Sequence, residues 1–329
     1  MSKNRNASPT IFGFNYQIDI AICLLFRNVK NIDMIKIEGK HEDIEQILND
    51  ASTIYCQAKS YIKTKSKKDI RRSKLRSAIS SLIDVSLNNN DSLLYCTNLD
   101  NPLIGEVSLM ERNEVSEYKF KELNEETKEV IKKYFRQDEA KYNHFAIIKI
   151  PYPYCQDSET RQTFINAEIK KFLIKIKKDT SYYEDICLKL HQLLKDTAYG
   201  NCKVYFTKPN LVSFITLYFL DKKIDFSVIQ DESILDKVEQ RYNILSKRKI
   251  LNFEISNNLL GIAESIRKEK PNISAEMIFK ENKDKITKII YGEISTDEIC
   301  ISTASIIFKT ILRLRLDIDD IKKGCNYDN

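Results

Sequence analysis

The sequence predicts an α/β protein: a mixed sheet flanked by helices over residues 1–155, then a mainly α-helical part over 156–329. Three observations carry this. Apolar residues alternate with polar ones between Ile35 and Lys59, the period of half-buried strands. A basic helical stretch then separates two strand-like runs, as in a β-helix-β crossover. Beyond Pro153 almost every apolar pattern recurs at helical spacing.

In chain order, Ile18, Ala21, Ile22 and Leu25 mark a helix over residues 12–27, opened by Gly13-Phe14-Asn15-Tyr16-Gln17. Gln17 and Asp19 read by default as ordinary polar residues of its first turns. Three short strands follow: Ile35 and Ile37 alternate with Lys36 and Glu38, Ile44 lies between Asp43 and Glu45, and Ile54 and Cys56 mark the third. Asn49-Asp50-Ala51-Ser52 is the turn between the last two. Leu75, Ile79, Leu82 and Ile83 place a helix after the basic run, and Ser92–Thr97 reads as a buried strand. Ser116–Phe120 alternates like an edge strand, Asn124 caps a helix through Phe135, and His144–Ile150 is a strand stopped by Pro151.

Further on, Ile165, Ile169, Phe172 and Ile176 mark one helix, and Ile186, Leu190, Leu193 and Leu194 another that Gly200 would end. Lys203–Phe206 is a short strand, and helices are expected over 211–221, 232–247, 256–268, 274–290 and 302–316. This half offers no recognisable chemistry and reads as a regulatory, oligomerisation or partner-binding part.

Composition narrows the classes. The net charge of +6 permits an acidic partner without demanding one. Eight cysteines stand as singles with no CxxC pair, which points to a reduced, cytoplasmic protein. Met1–Pro9 is polar, unlike a secretory leader, and the apolar run Leu211–Leu220 is too short to span a membrane. His41, His144 and His191 are isolated and read as structural.

The chemistry lies in the three-strand stretch. Gln57 and Lys59 are two apart on one strand, so their side chains share a face. An adjacent antiparallel strand starting at Asp43 brings a carboxylate, an amide oxygen and a lysine to one sheet edge. That set suits a hard divalent cation and a water beside a phosphodiester. The bland alternative makes Asp43 a turn residue and Lys59 a solvated strand end, and the D…QxK spacing alone is weak. The neighbouring basic run tips the balance: Lys63, Lys65, Lys67, Lys68, Arg71, Arg72 and Lys74 begin four residues past Lys59 and would neutralise phosphates.

These residues give the first half a resemblance to the PD-(D/E)xK nuclease superfamily. More narrowly, it resembles the endonuclease domain of the SAVED-domain effectors of CBASS and of nucleases paired with HerA-type ATPases in anti-phage defence. The matching pieces are Gly13–Gln17, Ile37-Glu38-Gly39 with Glu42-Asp43-Ile44, Tyr55-Cys56-Gln57-Ala58-Lys59, and the Phe145–Pro151 strand. The resemblance implies a restriction-endonuclease-like sheet and a Mg²⁺ or Mn²⁺ held by Asp43, Gln57 and the carbonyl of Ala58. Lys59 would orient or activate water, and Glu38, Glu42 and Gln17 would add outer or further ligands. Gln57 departs from the acid usual at its place. The resulting expectation is a metal-dependent DNA endonuclease of a bacterial anti-phage system, oligomeric or bound to a HerA-type ATPase. The alternative is a non-catalytic adaptor that keeps the fold to bind nucleic acid or an ATPase partner. An RNase is a third reading, since the motif does not sense a 2′-hydroxyl.

Overall fold

The computed structural model describes residues 8–62, 67–88, 90–103, 115–153, 158–201, 204–247 and 253–327. The first helix begins earlier than its apolar pattern does: α1 spans Ser8–Arg27 and buries Ile18, Ala21, Ile22 and Leu25. Next come β1 (Ile32–Ile37), β2 (Ile44–Leu48) and β3 (Thr53–Lys59), an antiparallel meander pairing Ile37 with Ile44 and Ile44 with Cys56. The β2–β3 turn falls where expected. Ala51 adopts a left-handed φ of 65°, and Asp50 Oδ1 accepts a hydrogen bond from the Ser52 amide.

The basic stretch becomes α2 (Lys68–Leu82), which crosses over to β4 (Ser92–Thr97), paired in parallel with β3. β5 (Ser116–Lys119) precedes α3 (Glu125–Tyr134), α4 (Glu139–Tyr142) and β6 (Phe145–Lys149). β6 lies parallel to β4, and β5 runs antiparallel beside it as the edge. Asn124 caps α3 by accepting from the Thr127 amide. Leu75, Ile79 and Leu82 of α2 pack with Leu93, Tyr95, Phe145 and Ile147 in one buried cluster. Cys56 and Cys96 alternate with those residues and lie buried on the opposite face, their sulfurs 3.4 Å apart.

α5 (Ser158–Lys175) and α6 (Tyr183–Asn201) pack against α1, and β7 (Val204–Thr207) pairs antiparallel with β1. The mixed sheet therefore runs β5-β6-β4-β3-β2-β1-β7. This moves the division of the chain. The compact units are Met1–Thr207 and Lys208–Asn329, so a boundary at 155 falls inside the first. The physical reason is burial: Ile165, Ile169, Phe172, Ile186 and Leu190 bury their side chains in this layer, and β7 closes an edge of the same sheet. The compositional change at Pro153 marks a passage from strands to covering helices. Gly200 does not stop α6, which continues to Asn201.

The second unit is helical, as expected. It comprises α7 (Lys208–Lys223), α8 (Glu232–Lys247), α9 (Phe253–Glu269), α10 (Ala275–Glu281), α11 (Lys283–Tyr291), α12 (Glu298–Arg313) and α13 (Arg315–Cys325). α12 is its centre, touching α7, α8, α9, α10, α11 and α13 and burying Ile307, Phe308 and Ile311. Two expected helices are broken. The one over 274–290 divides at Asn282, where φ reaches −124°, and the one over 302–316 divides at Leu314.

Candidate active site

The strand register decides which side chains meet. Gln57 and Lys59 share the face of Tyr55, which packs against the α2 cluster. Because Ile44 opposes Cys56, Asp43 falls opposite Gln57 at the open end of β2 and β3. Asp43 Oδ2 accepts from Gln57 Nε2, from the Ala58 amide at 3.1 Å and from Lys59 Nζ at 3.4 Å. The expected trio is thus a single hydrogen-bonded group. It sits at the carboxyl end of β3, where parallel strands of α/β sheets present their ligand sites.

Glu38, Glu42 and Gln17 join it. The β1–β2 turn closes through the Glu38 amide donating to the Asp43 carbonyl at 2.8 Å and the Gly39 amide to the Glu42 carbonyl at 3.1 Å. Glu38 holds a left-handed φ of 52°, which is uncommon for a residue with a Cβ and clusters at functional sites. The Gln17 side chain, reaching from α1, stands near enough to Glu38 to favour its charged form. Gly39 lies in a close approach: a Cβ there would stand 2.6 Å from the Glu45 carboxyl, so a larger residue would push that side chain off the His41 amide that it accepts from. The periodicity of the sequence carries no trace of this packing.

The electrostatics are those of crowded carboxylates. Burial raises the Glu42 carboxyl to about 8, helped by the Asp43 charge and opposed by Lys59. Burial and Asp43 also raise Glu38, while Lys59 and Gln17 lower it. Glu42 is 6% exposed, and its Oε1 is buried with no hydrogen-bond partner. The orphaned Glu42 oxygen stands beside the Asp43 charge, and a proton or a cation would settle it.

Among the described residues, no three His, Cys, Asp or Glu side chains stand together in a metal-holding group. The donors here extend beyond those types. The Gln57 amide oxygen is exchanged for its nitrogen by a half-turn. A residue in a strand directs its N–H and C=O to the same edge, so the Ala58 carbonyl opens beside Asp43. The donor set is all oxygen and suits a hard cation such as Mg²⁺ or Mn²⁺.

The basic run is partly spoken for. Lys63 and Lys65 lie outside the described residues. Lys68 and Arg72 both reach Glu126 of α3, at 2.7 and 3.4 Å. Lys74 sits over the Tyr61 ring, 3.4 Å from its centre, and burial lowers its pKa. Lys67 is exposed and Arg71 half-buried with its Nε unpartnered.

Two residues gained roles that spacing does not reveal. Asn98 brackets Tyr61, its Oδ1 accepting from the Tyr61 amide and its Nδ2 donating to the carbonyls of Tyr61 and Tyr152, which fixes the chain just past Lys59. Asp19 is no ordinary first-turn residue. Buried in α1, it accepts from the Tyr152 hydroxyl at 2.6 Å and pairs with His191 Nδ1 at 2.7 Å, tying α6 to α1.

No family model, no curated protein and no solved structure matches this chain.

Proposed function

We propose that the chain is a metal-dependent DNA endonuclease that hydrolyses phosphodiester bonds. The observation that carries this reading is the meeting of Gln17, Glu38, Glu42, Asp43, Gln57 and Lys59 at one end of β2 and β3. Asp43, Gln57 and the Ala58 carbonyl would hold Mg²⁺ or Mn²⁺, with Glu38 and Glu42 beside them. A cation held there supplies Lewis acidity, activating water and neutralising phosphate charge. Lys59, 41% exposed at its side chain, presents its ammonium to charge developing on the phosphate. Glu42, with its carboxyl at about 8, holds a proton near neutral pH and could give it to a leaving oxygen. Lys67 and Arg71 supply sequence-independent attraction for the DNA backbone.

The resemblance to defence nucleases supports a role as an effector of a bacterial anti-phage system, acting in the cytoplasm. The described cysteines are free and buried, as a reducing compartment allows, and no described helix is long and apolar enough to cross a membrane. One metal site cuts one strand, so double-strand cleavage asks for a second copy or a HerA-type ATPase partner to arrange one.

A specific observation favours the adaptor as the second reading. Gln57 replaces an acid, and the one Asp43 oxygen already receives three donors. Incubating the protein with plasmid DNA in Mg²⁺, in Mn²⁺ and in EDTA separates the two. Nicking or linearisation that needs the cation and Asp43 supports the nuclease. Binding to DNA without cleavage in either metal supports the adaptor.

A further inference from the structure

A second concentration of charge lies away from Asp43, between α2 and α3. There a cavity of about 570 Å³ is lined by Arg72, Arg76, Ser80 and Asp84 on one side and by Lys133 and Arg136 on the other. Arg72, Arg76 and Ser80 stand at intervals of four on α2, so they form one stripe along the helix. The apolar residues Leu75, Ala78, Ile79 and Leu82 occupy its buried face. Four cations therefore share the cleft with one carboxylate. Of these, Arg72 alone has an ion-pair partner, and it shares Glu126 with Lys68. Arg76, Lys133 and Arg136 are exposed and make no ion pair among the described residues. Arg72 Nε is buried with no hydrogen-bond partner. Arg136 holds a left-handed φ of 55°, the common helix-ending geometry, its amide donating to the Lys133 carbonyl at 3.1 Å and that of Gln137 to the Lys132 carbonyl at 2.8 Å, which sets Arg136 at the cleft's rim.

Like charges gathered without counter-charges repel, and the arrangement is stabilised by an anion that bridges them. Guanidinium groups with paired N–H donors match the oxygens of a phosphoryl group, and the axial step from Arg72 to Arg76 is about 6 Å, on the scale of one such group between two arginines. We infer that this cleft is a phosphoryl-binding site, distinct from the Asp43 cluster, that takes either a free polyphosphate or a phosphate of a nucleic-acid backbone. It does not depend on the nuclease reading, because no catalytic residue lines it.

The test uses the full chain in EDTA, where no cleavage can intervene. Inorganic pyrophosphate is titrated by calorimetry, and a labelled DNA duplex is titrated by anisotropy over a range of salt. R76A/K133A removes two cleft charges, and K280A/K285A removes two exposed charges from the second unit as a control. The expected result is an affinity at least about tenfold weaker for R76A/K133A than for the control in one arm or both. A loss in the pyrophosphate arm identifies a free phosphorylated ligand. A loss confined to the duplex arm, with the salt slope flattened by about 0.9 per contact removed, identifies a backbone phosphate. If R76A/K133A matches the control in both arms, or if the wild type binds neither probe, the inference is overturned.

Discussion

The two ends of β3 hold buried carboxylates under opposite conditions. At its start, Asp91 is fully buried and satisfied, Oδ1 accepting from the Thr53 amide at 2.7 Å and Oδ2 from the Asn88 amide at 2.8 Å. At its finish, burial and then the Asp43 charge raise the proton affinity of Glu42 and of Glu38, and a buried Glu42 oxygen has no partner. One end of β3 thus meets a carboxylate that closes the fold, from the residue before β4, and the other meets a cluster in the β1–β2 turn that the fold leaves unsettled. The difference is one of satisfaction: backbone amides settle the first acid, and the second set leaves room for a cation or a proton.

Substitution at the unsettled end should destroy activity and leave the fold. Asp43→Ala is expected to lower plasmid cleavage by about a thousandfold with unchanged circular dichroism, and Lys59→Ala by about a hundredfold. Cleavage retained by either folded variant would remove the site assignment.

Substitution at the settled end should do the reverse. Asp91→Ala deprives two backbone amides of a charged acceptor and is expected to cost about 3 kcal/mol or more in denaturant unfolding. Its remaining folded fraction should cleave at the wild-type rate. An Asp91 variant as stable as the wild type would erase the contrast.

The pH dependence sharpens the comparison. Glu42 titrates at about 8 in the fold against an ordinary 4.5, so the folded chain binds that proton more tightly. Stability from this group is complete below pH 4.5 and is lost as pH rises to 8. In metal-free protein, the slope approaches about 1.4 kcal/mol per pH unit between those limits. Glu42→Gln should flatten it, as read from unfolding midpoints at pH 5, 6, 7 and 8. An unchanged slope would mean that Glu42 does not carry the raised proton affinity.

The smallest effect belongs to the surface. Lys68→Ala breaks an exposed, solvent-screened pair with Glu126 and should leave the unfolding midpoint at the wild-type value. Arg71, Arg72 and Lys74 changed together to Ala should weaken DNA binding for all sequences alike, measured by anisotropy against salt. A sequence-dependent loss would mean that these side chains read bases.

Much of this was legible before any coordinates. The alternation of Ile35, Ile37, Ile44, Ile54 and Cys56 placed three strands, and their pairing brought Asp43 to Gln57 and Lys59 through period two alone. What stayed hidden depends on distant segments. The sequence has no local mark for β7 joining β1, so a boundary near residue 155 separates α5 and α6 from the compact unit that holds them. Neither the left-handed turn at Glu38 nor the approach of Glu45 to Gly39 has a periodic signature. The α2–α3 cleft needs Arg76 to meet Lys133 and Arg136 from far along the chain, which only tertiary packing supplies.

The most direct test is a calorimetric titration of Mn²⁺ into wild-type protein, Asp43→Asn and Asp91→Asn at pH 8. Saturable binding at one site in the wild type and in Asp91→Asn, lost in Asp43→Asn, is the predicted result. Absence of saturable binding in the wild type, or equal binding by Asp43→Asn, would contradict a cation site at the carboxyl end of β3.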